Sequence, residues 1–168
     1  LMSKASSLYR CLSKTIFSAS TLIKILNDEI CETTTRGMFV TMIVGVYDKN
    51  KNELLLSNAG HEPPLIFSKD GNFKTIDEAG PPLGIAPKFK FTEQTISFKE
   101  SSMYIFTDGI TEMKNNNGEM LGQEGFQDYI KKYQSTPNNK RLQKMIEDLI
   151  GSGRIQKDDL TIVTVDGK

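Results

Sequence analysis

An α+β fold is expected from the way the hydrophobic period changes along the chain. Apolar residues recur every three or four positions near both ends, β-rich runs fill the middle, and a last apolar run is again extended in character. At the start, Leu1, Ala5, Leu8, Leu12 and Ile16 form one stripe of a helix. A second helix follows, started by Ser18 or Ser20, with Leu22, Ile25, Leu26 and Ile30 on its buried side. No strand separates these helices, so they form a hairpin or a bent pair whose first role is core packing.

After Gly37 the run Met38–Tyr47 is rich in β-branched and aromatic residues. It is followed by the polar turn Asp48–Asn52 and by Glu53–Ser57, which together read as a hairpin. Leu65–Phe67, the turn Lys69–Asn72 and Phe73–Ile76 read as a second hairpin. Gly80–Gly84 is a loop, because its adjacent prolines remove donors and bias their neighbours away from helix. Phe91–Phe98 and Ser102–Thr107 offer two more strands. A helix from Gly122 to Tyr133 and another from Asn139 to Ile150 come next. The second carries Leu142, Met145, Ile146 and Leu149 and ends at Gly151 as its C-cap. The run Leu160–Val165 is the last strand.

Composition narrows the function classes. A chain of 168 residues suits one domain and buries about 70% of the surface its unfolded form exposes. Its 21 basic and 21 acidic side chains cancel and form no dense basic stripe, which removes the electrostatic case for nucleic acid. Cys11 and Cys31 fall in helical patterns without CxxC spacing, as reduced thiols of a cytoplasmic protein do. No apolar stretch approaches the roughly 20 residues that span a bilayer, and no signal-type N-terminus is present. No phosphate-cradling P-loop, Gly-x-Ser-x-Gly or Cys/His nucleophile pattern occurs, so nucleotide hydrolases and covalent acyl enzymes lose support.

Chemistry concentrates in two acidic turns. Asp108 closes the apolar run Met103–Phe106, and Asp158 and Asp159 open the run Leu160–Val165. If those two strands pair antiparallel, the carboxylates fall at one edge of one sheet. Carboxylates gathered there repel one another unless a cation neutralises them, and hard divalent ions such as Mg²⁺ and Mn²⁺ prefer oxygen ligands. The plainer alternative is that Asp-Gly makes a turn and Asp-Asp marks a polar strand boundary. Gly109 either lets the backbone turn tightly beside a metal or merely completes a turn. Glu112 either hydrogen-bonds near the site or is a helix N-terminal carboxylate favoured by the dipole, the latter preferred. His61 is the sole histidine; a ligand or proton-transfer role is weaker than a role in shaping its turn.

The flanks of these turns resemble a known family. Asn58-Ala59-Gly60-His61-Glu62-Pro63-Pro64, Pro82-Leu83-Gly84, Thr107-Asp108-Gly109-Ile110-Thr111-Glu112 and Asp158-Asp159-Leu160-Thr161 follow the order and rough spacing of bacterial metal-dependent Ser/Thr protein phosphatases. The branch is that of the stage II sporulation phosphatase and the phosphatases regulating stress sigma factors. The resemblance covers nearly the whole chain. It implies an αββα sandwich and a single phosphatase domain over 1–168, missing its first strands. Family members carry upstream a strand ending in Gly-Asp that supplies a bridging carboxylate, and these residues hold no such strand. Membrane spans in a region further upstream remain compatible with this reading.

The resemblance implies a Mn²⁺ or Mg²⁺ pair held in part by Asp108 and Asp158, with Asp159 as the alternate to Asp158, and metal-bound water rather than a side chain as the nucleophile. Successive side chains of a strand point to opposite faces, so Asp158 and Asp159 do not easily share one ion. The implied activity is dephosphorylation of a phosphoserine or phosphothreonine protein, in this branch an anti-sigma-factor antagonist. Two rivals stand beside it. One is a catalytically incomplete phosphatase-fold module that binds a partner or forms a homodimer through the helical pair of residues 1–30. The other is a two-metal phosphodiesterase or nuclease, for which Lys114 and Lys157 are the only basic residues near the acids in sequence.

Overall fold

The computed structural model describes residues 1–33, 37–77, 79–97 and 100–167. In chain order these form α1 (Met2–Leu12), α2 (Ala19–Thr33), β1 (Met42–Asp48), β2 (Glu53–Ala59), β3 (Leu65–Ser68), β4 (Phe73–Thr75), β5 (Gln94–Ser97) and β6 (Ser101–Phe106). They continue with α3 (Asp108–Thr111), α4 (Gly122–Lys132), α5 (Asn138–Gly151) and β7 (Ile162–Asp166). The chain divides into two compact units, one built from residues 1–63 and 76–99 and the other from 64–75 and 100–167.

In the first unit, β1, β2 and β5 form an antiparallel sheet in that order, with Gly45 opposite Leu56 and Leu54 opposite Ile96. Asp48 makes the β1–β2 turn by accepting the N–H groups of Asn50 and Lys51 at 2.9 and 3.2 Å. The stripe of α2 packs on this sheet: Leu22, Ile23, Leu26 and Ile30 are buried with Val44, Ala59 and Leu83. Each of these leucine and isoleucine side chains of α2 contributes about 1.5–3 kcal/mol on burial, far more than helix propensity does. Ile23 takes the fully buried place expected of Ile25, which is half-buried. The helices pair antiparallel, since Lys4 near the start of α1 donates to the carbonyl of Glu29 near the end of α2 at 2.9 Å.

A polar residue on that buried face ties the proline-rich loop down. Asn27 is wholly buried; its Oδ1 accepts the Gly84 N–H at 3.1 Å and its Nδ2 donates to the Ala86 carbonyl at 2.9 Å. Val40 and Leu83 exchange backbone hydrogen bonds at 3.1 and 2.8 Å, so β1 proper begins only at Met42 rather than at Met38. Similarly β5 is shorter than the expected Phe91–Phe98. Phe91 is a buried loop residue edge-on to Phe89, the strand starts at Gln94, and Phe98 lies outside the described residues.

In the second unit, β4, β3, β6 and β7 form an antiparallel sheet in that order. Leu65, Phe67, Tyr104 and Phe106 pack with Phe126 and Ile130 of α4 and Met145 and Leu149 of α5. Arg141 of α5 is buried as well; its guanidinium pairs with Asp166 of β7 and lies over the Tyr104 ring, 5.6 Å from its centroid. Burial pushes the Tyr104 hydroxyl above the ordinary tyrosine range. Gly151 is the last residue of α5 and not its C-cap. Ser152 fills that place in right-handed geometry, its hydroxyl donating to the Leu149 carbonyl at 2.6 Å, and the left-handed glycine falls at Gly153. The strand expected from Leu160 starts at Ile162, leaving Asp158 and Asp159 ahead of it, outside any strand.

Candidate active site

The two acidic turns meet because β6 and β7 are neighbours. Their ladder runs from Ser102 opposite Asp166 to Phe106 opposite Ile162. One step further the Thr107 N–H still donates to the Thr161 carbonyl at 3.1 Å. There the chain leaves the sheet, since the Thr107 carbonyl accepts the Ile110 N–H at 3.1 Å and opens the short helix α3. The Thr107 hydroxyl takes over across the gap. It accepts the Thr161 N–H at 3.1 Å and donates to the Asp159 carbonyl at 3.1 Å.

Asp108 is the first residue of α3 and is exposed. Behind it Gly109 is buried against the other turn. A Cβ on Gly109 would stand 2.5 Å from the Asp159 carbonyl oxygen, closer than real atoms approach, with the Asp158 carbonyl carbon in ordinary contact at 3.5 Å. The glycine thus permits a close approach of two backbones, a steric role that neither reading of the sequence had named. On the facing turn the Asp159 N–H donates to Asp158 Oδ1 at 2.7 Å, and Gln156 Nε2 donates to the Asp158 carbonyl at 3.0 Å. Gln156, Lys157, Asp158 and Asp159 line an open cavity of about 310 Å³.

The structure thus brings Asp108, Gly109, Asp158 and Asp159 together. Since Asp158 and Asp159 lie ahead of β7, outside any strand, strand alternation does not govern where their side chains point. Glu112 is not a helix N-terminal carboxylate. It is the C-cap of α3, its N–H donating to the Asp108 carbonyl at 2.8 Å, where the helix dipole disfavours a negative charge. His61 belongs to the first unit, just past β2, half-buried, with Nδ1 3.3 Å from the Thr41 hydroxyl. Buried Asn58 holds its backbone from both sides, accepting the His61 N–H and donating to its carbonyl, each at 2.9 Å. Thr107 was given no role of its own by sequence although it opens one of the four motifs, and Gln156, a glutamine in a loop, carries no distinguishing pattern.

Exposed carboxylates on two backbones held in contact are hard oxygen donors and fit a divalent cation in kind. Among the described residues, however, no three His, Cys, Asp or Glu side chains gather to hold one. The carboxylates of the two turns could make at most part of a ligand set. No helix among the described residues is long and apolar enough to cross a membrane.

Known proteins resemble the chain in sequence and in fold. The chain is 30% identical over 156 residues to protein IcfG of Synechocystis sp. and 26% identical over 157 residues to the phosphoserine phosphatase RsbU of Bacillus subtilis. These matches cover 90% and 92% of the chain but only 24% and 47% of the relatives, so the chain spans about a quarter and about half of their lengths. Among solved structures, the SiaA PP2C domain of Pseudomonas aeruginosa superposes with a TM-score of 0.83 at 13% identity, over 98% of this chain and 68% of that one. The catalytic domain of the serine/threonine protein phosphatase PstP, in complex with two manganese ions, gives 0.67 at 14% identity, over 96% and 80%. The fold is therefore the α+β fold of PP2C phosphatase domains. The family model for stage II sporulation protein E matches all of residues 1–168, and the chain belongs to that family.

Proposed function

We propose that the chain provides the greater part of a Mn²⁺- or Mg²⁺-dependent phosphatase domain acting on phosphoserine or phosphothreonine in a protein. The observation that carries this reading is the close contact of the Asp108–Gly109 and Asp158–Asp159 backbones, which sets two carboxylate-bearing turns side by side. Asp108 and Asp158 would hold the metal, with Asp159 as the alternate to Asp158. A phosphate monoester resists attack because its own charge repels nucleophiles; a bound divalent ion supplies the countercharge and lowers the pKa of a coordinated water. The chain's own part is to aim the carboxylates and to keep the site open to a bulky protein substrate. Gln156 and Lys157, lining the same cavity, would donate to the phosphoryl oxygens.

The likeness to RsbU, a phosphoserine phosphatase, supports this substrate class. Within it we assign the substrate to a phosphorylated anti-sigma-factor antagonist, on the resemblance of the four motifs to the sigma-regulatory branch. The test is Mn²⁺-dependent release of phosphate from a phosphoserine peptide by the whole protein, with and without Asp108→Asn. We expect the variant to stay folded and lose turnover, whereas turnover at the wild-type rate would refute the assignment. The partial ligand set favours a second reading, a binding or dimerisation module of the same fold. No Mn²⁺-dependent turnover by the folded whole protein would select it.

A further inference from the structure

We propose that Thr107 is the positioning residue of the site, its hydroxyl holding the Asp158–Asp159 turn at the distance from Asp108 at which both carboxylates reach one metal centre. The inference rests on the metal-dependent reading above and extends it to a residue that touches no metal. Its basis is a change of hydrogen-bond partner at the end of the β6–β7 ladder. The next pair after Phe106 and Ile162 is Thr107 and Thr161, and only half of its bonding is made by backbone: Thr107 N–H to the Thr161 carbonyl, 3.1 Å. The reciprocal acceptor, the Thr107 carbonyl, is taken by Ile110 at 3.1 Å because α3 has to begin there for Asp108 to be presented at its first position.

The Thr107 side chain resolves this conflict. Its hydroxyl accepts the Thr161 N–H in place of the diverted carbonyl and spends its proton on the Asp159 carbonyl, both at 3.1 Å. One hydroxyl thus uses donor and acceptor capacity together, which neither an alanine nor a valine can do. The hydroxyl makes no capping bond within α3, although Thr107 occupies the N-cap position, so its bonds are directed across to the other turn. The attachment is also placed where it matters. The Asp159 carbonyl that Thr107 holds is the atom that a Gly109 Cβ would strike at 2.5 Å. Gly109 sets how near the turns can come, and Thr107 keeps them there.

Removing the hydroxyl should therefore act on metal affinity. The experiment is a Mn²⁺ titration of the whole protein followed by electron paramagnetic resonance of the free ion, on wild type, Thr107→Ser, Thr107→Val and Asp108→Asn. Thermal unfolding without metal confirms that each is folded, and Thr107→Ala replaces the valine variant should that one not fold. We expect Thr107→Val to weaken Mn²⁺ binding about 10–100-fold, the usual effect of losing a partner that orients a ligand, and Thr107→Ser to bind as wild type does. Wild-type affinity in folded Thr107→Val, with binding lost in Asp108→Asn, would overturn the positioning role and leave the metal site standing. Wild-type affinity in Asp108→Asn would overturn the metal site, and the role of Thr107 with it.

Discussion

Gly109 and Gly151 both end up in helices, yet they predict opposite responses to the same methyl group. At Gly109 the added carbon meets a backbone carbonyl at 2.5 Å, and a backbone cannot swing aside as a side-chain tip can. Gly109→Ala should cost about 1–3 kcal/mol by overpacking and should part the acidic turns, weakening Mn²⁺ binding along with stability. At Gly151 nothing lies within 4 Å and φ is not in the left-handed region. Gly151→Ala should therefore stabilise by about 0.5–1 kcal/mol through reduced unfolded-state entropy. Urea midpoints of the two variants check both signs, and equal shifts would contradict the geometry. Asp108 and Asp158 can be picked out as candidates from sequence because acidic residues stand out at the edges of apolar runs. The sequence hides why Gly109 is needed, because the atom that excludes a side chain comes from a residue fifty positions away.

The same blindness to distance shapes the elements. A serine before α2 is visible in sequence, and Ser18 does cap it, its hydroxyl accepting the Thr21 N–H at 3.2 Å. The larger device is Glu93, whose carboxylate accepts the Ser20 N–H at 3.0 Å and the hydroxyls of Ser18 and Ser20 at 3.1 Å from 73 and 75 residues away. The Ser20 backbone N–H, ahead of the serine hydroxyls, holds the Glu93 carboxyl below its ordinary value of 4.5. A depressed carboxylate stabilises the fold above its unfolded pKa and loses that stabilisation as pH falls through the folded one. Glu93→Gln should cost about 0.5–1 kcal/mol at pH 7, as loss of an exposed cap does. The difference from wild type should shrink as pH drops below about 4.5; a gap that persists there would remove the charge from the explanation. Hairpins were legible because their turns and strands are adjacent in sequence. Arg141 was not, because only its Asp166 partner on β7 makes burial of that helix position tolerable.

Neither compact unit is a continuous stretch of chain, and this bears on how the whole molecule unfolds. The sheet of the first unit is finished by β5, which reaches β2 only after the β3–β4 hairpin of the second unit has been traversed. The second unit in turn waits for β6 to pair with β3 across the segment 76–99 that belongs to the first. Each unit thus closes a loop that contains part of the other, and the loop-closure entropy of both is recovered only when both are formed. We therefore expect one cooperative transition. Leu83→Ala, in the core of the first unit, should lower stability by about 2–5 kcal/mol and Phe126→Ala, in that of the second, by about 3–5 kcal/mol. Both should displace the same transition, whether it is followed by tyrosine fluorescence or by far-ultraviolet circular dichroism. Two separable transitions, each moved by only one of the variants, would show instead that interleaving the chain does not couple the units.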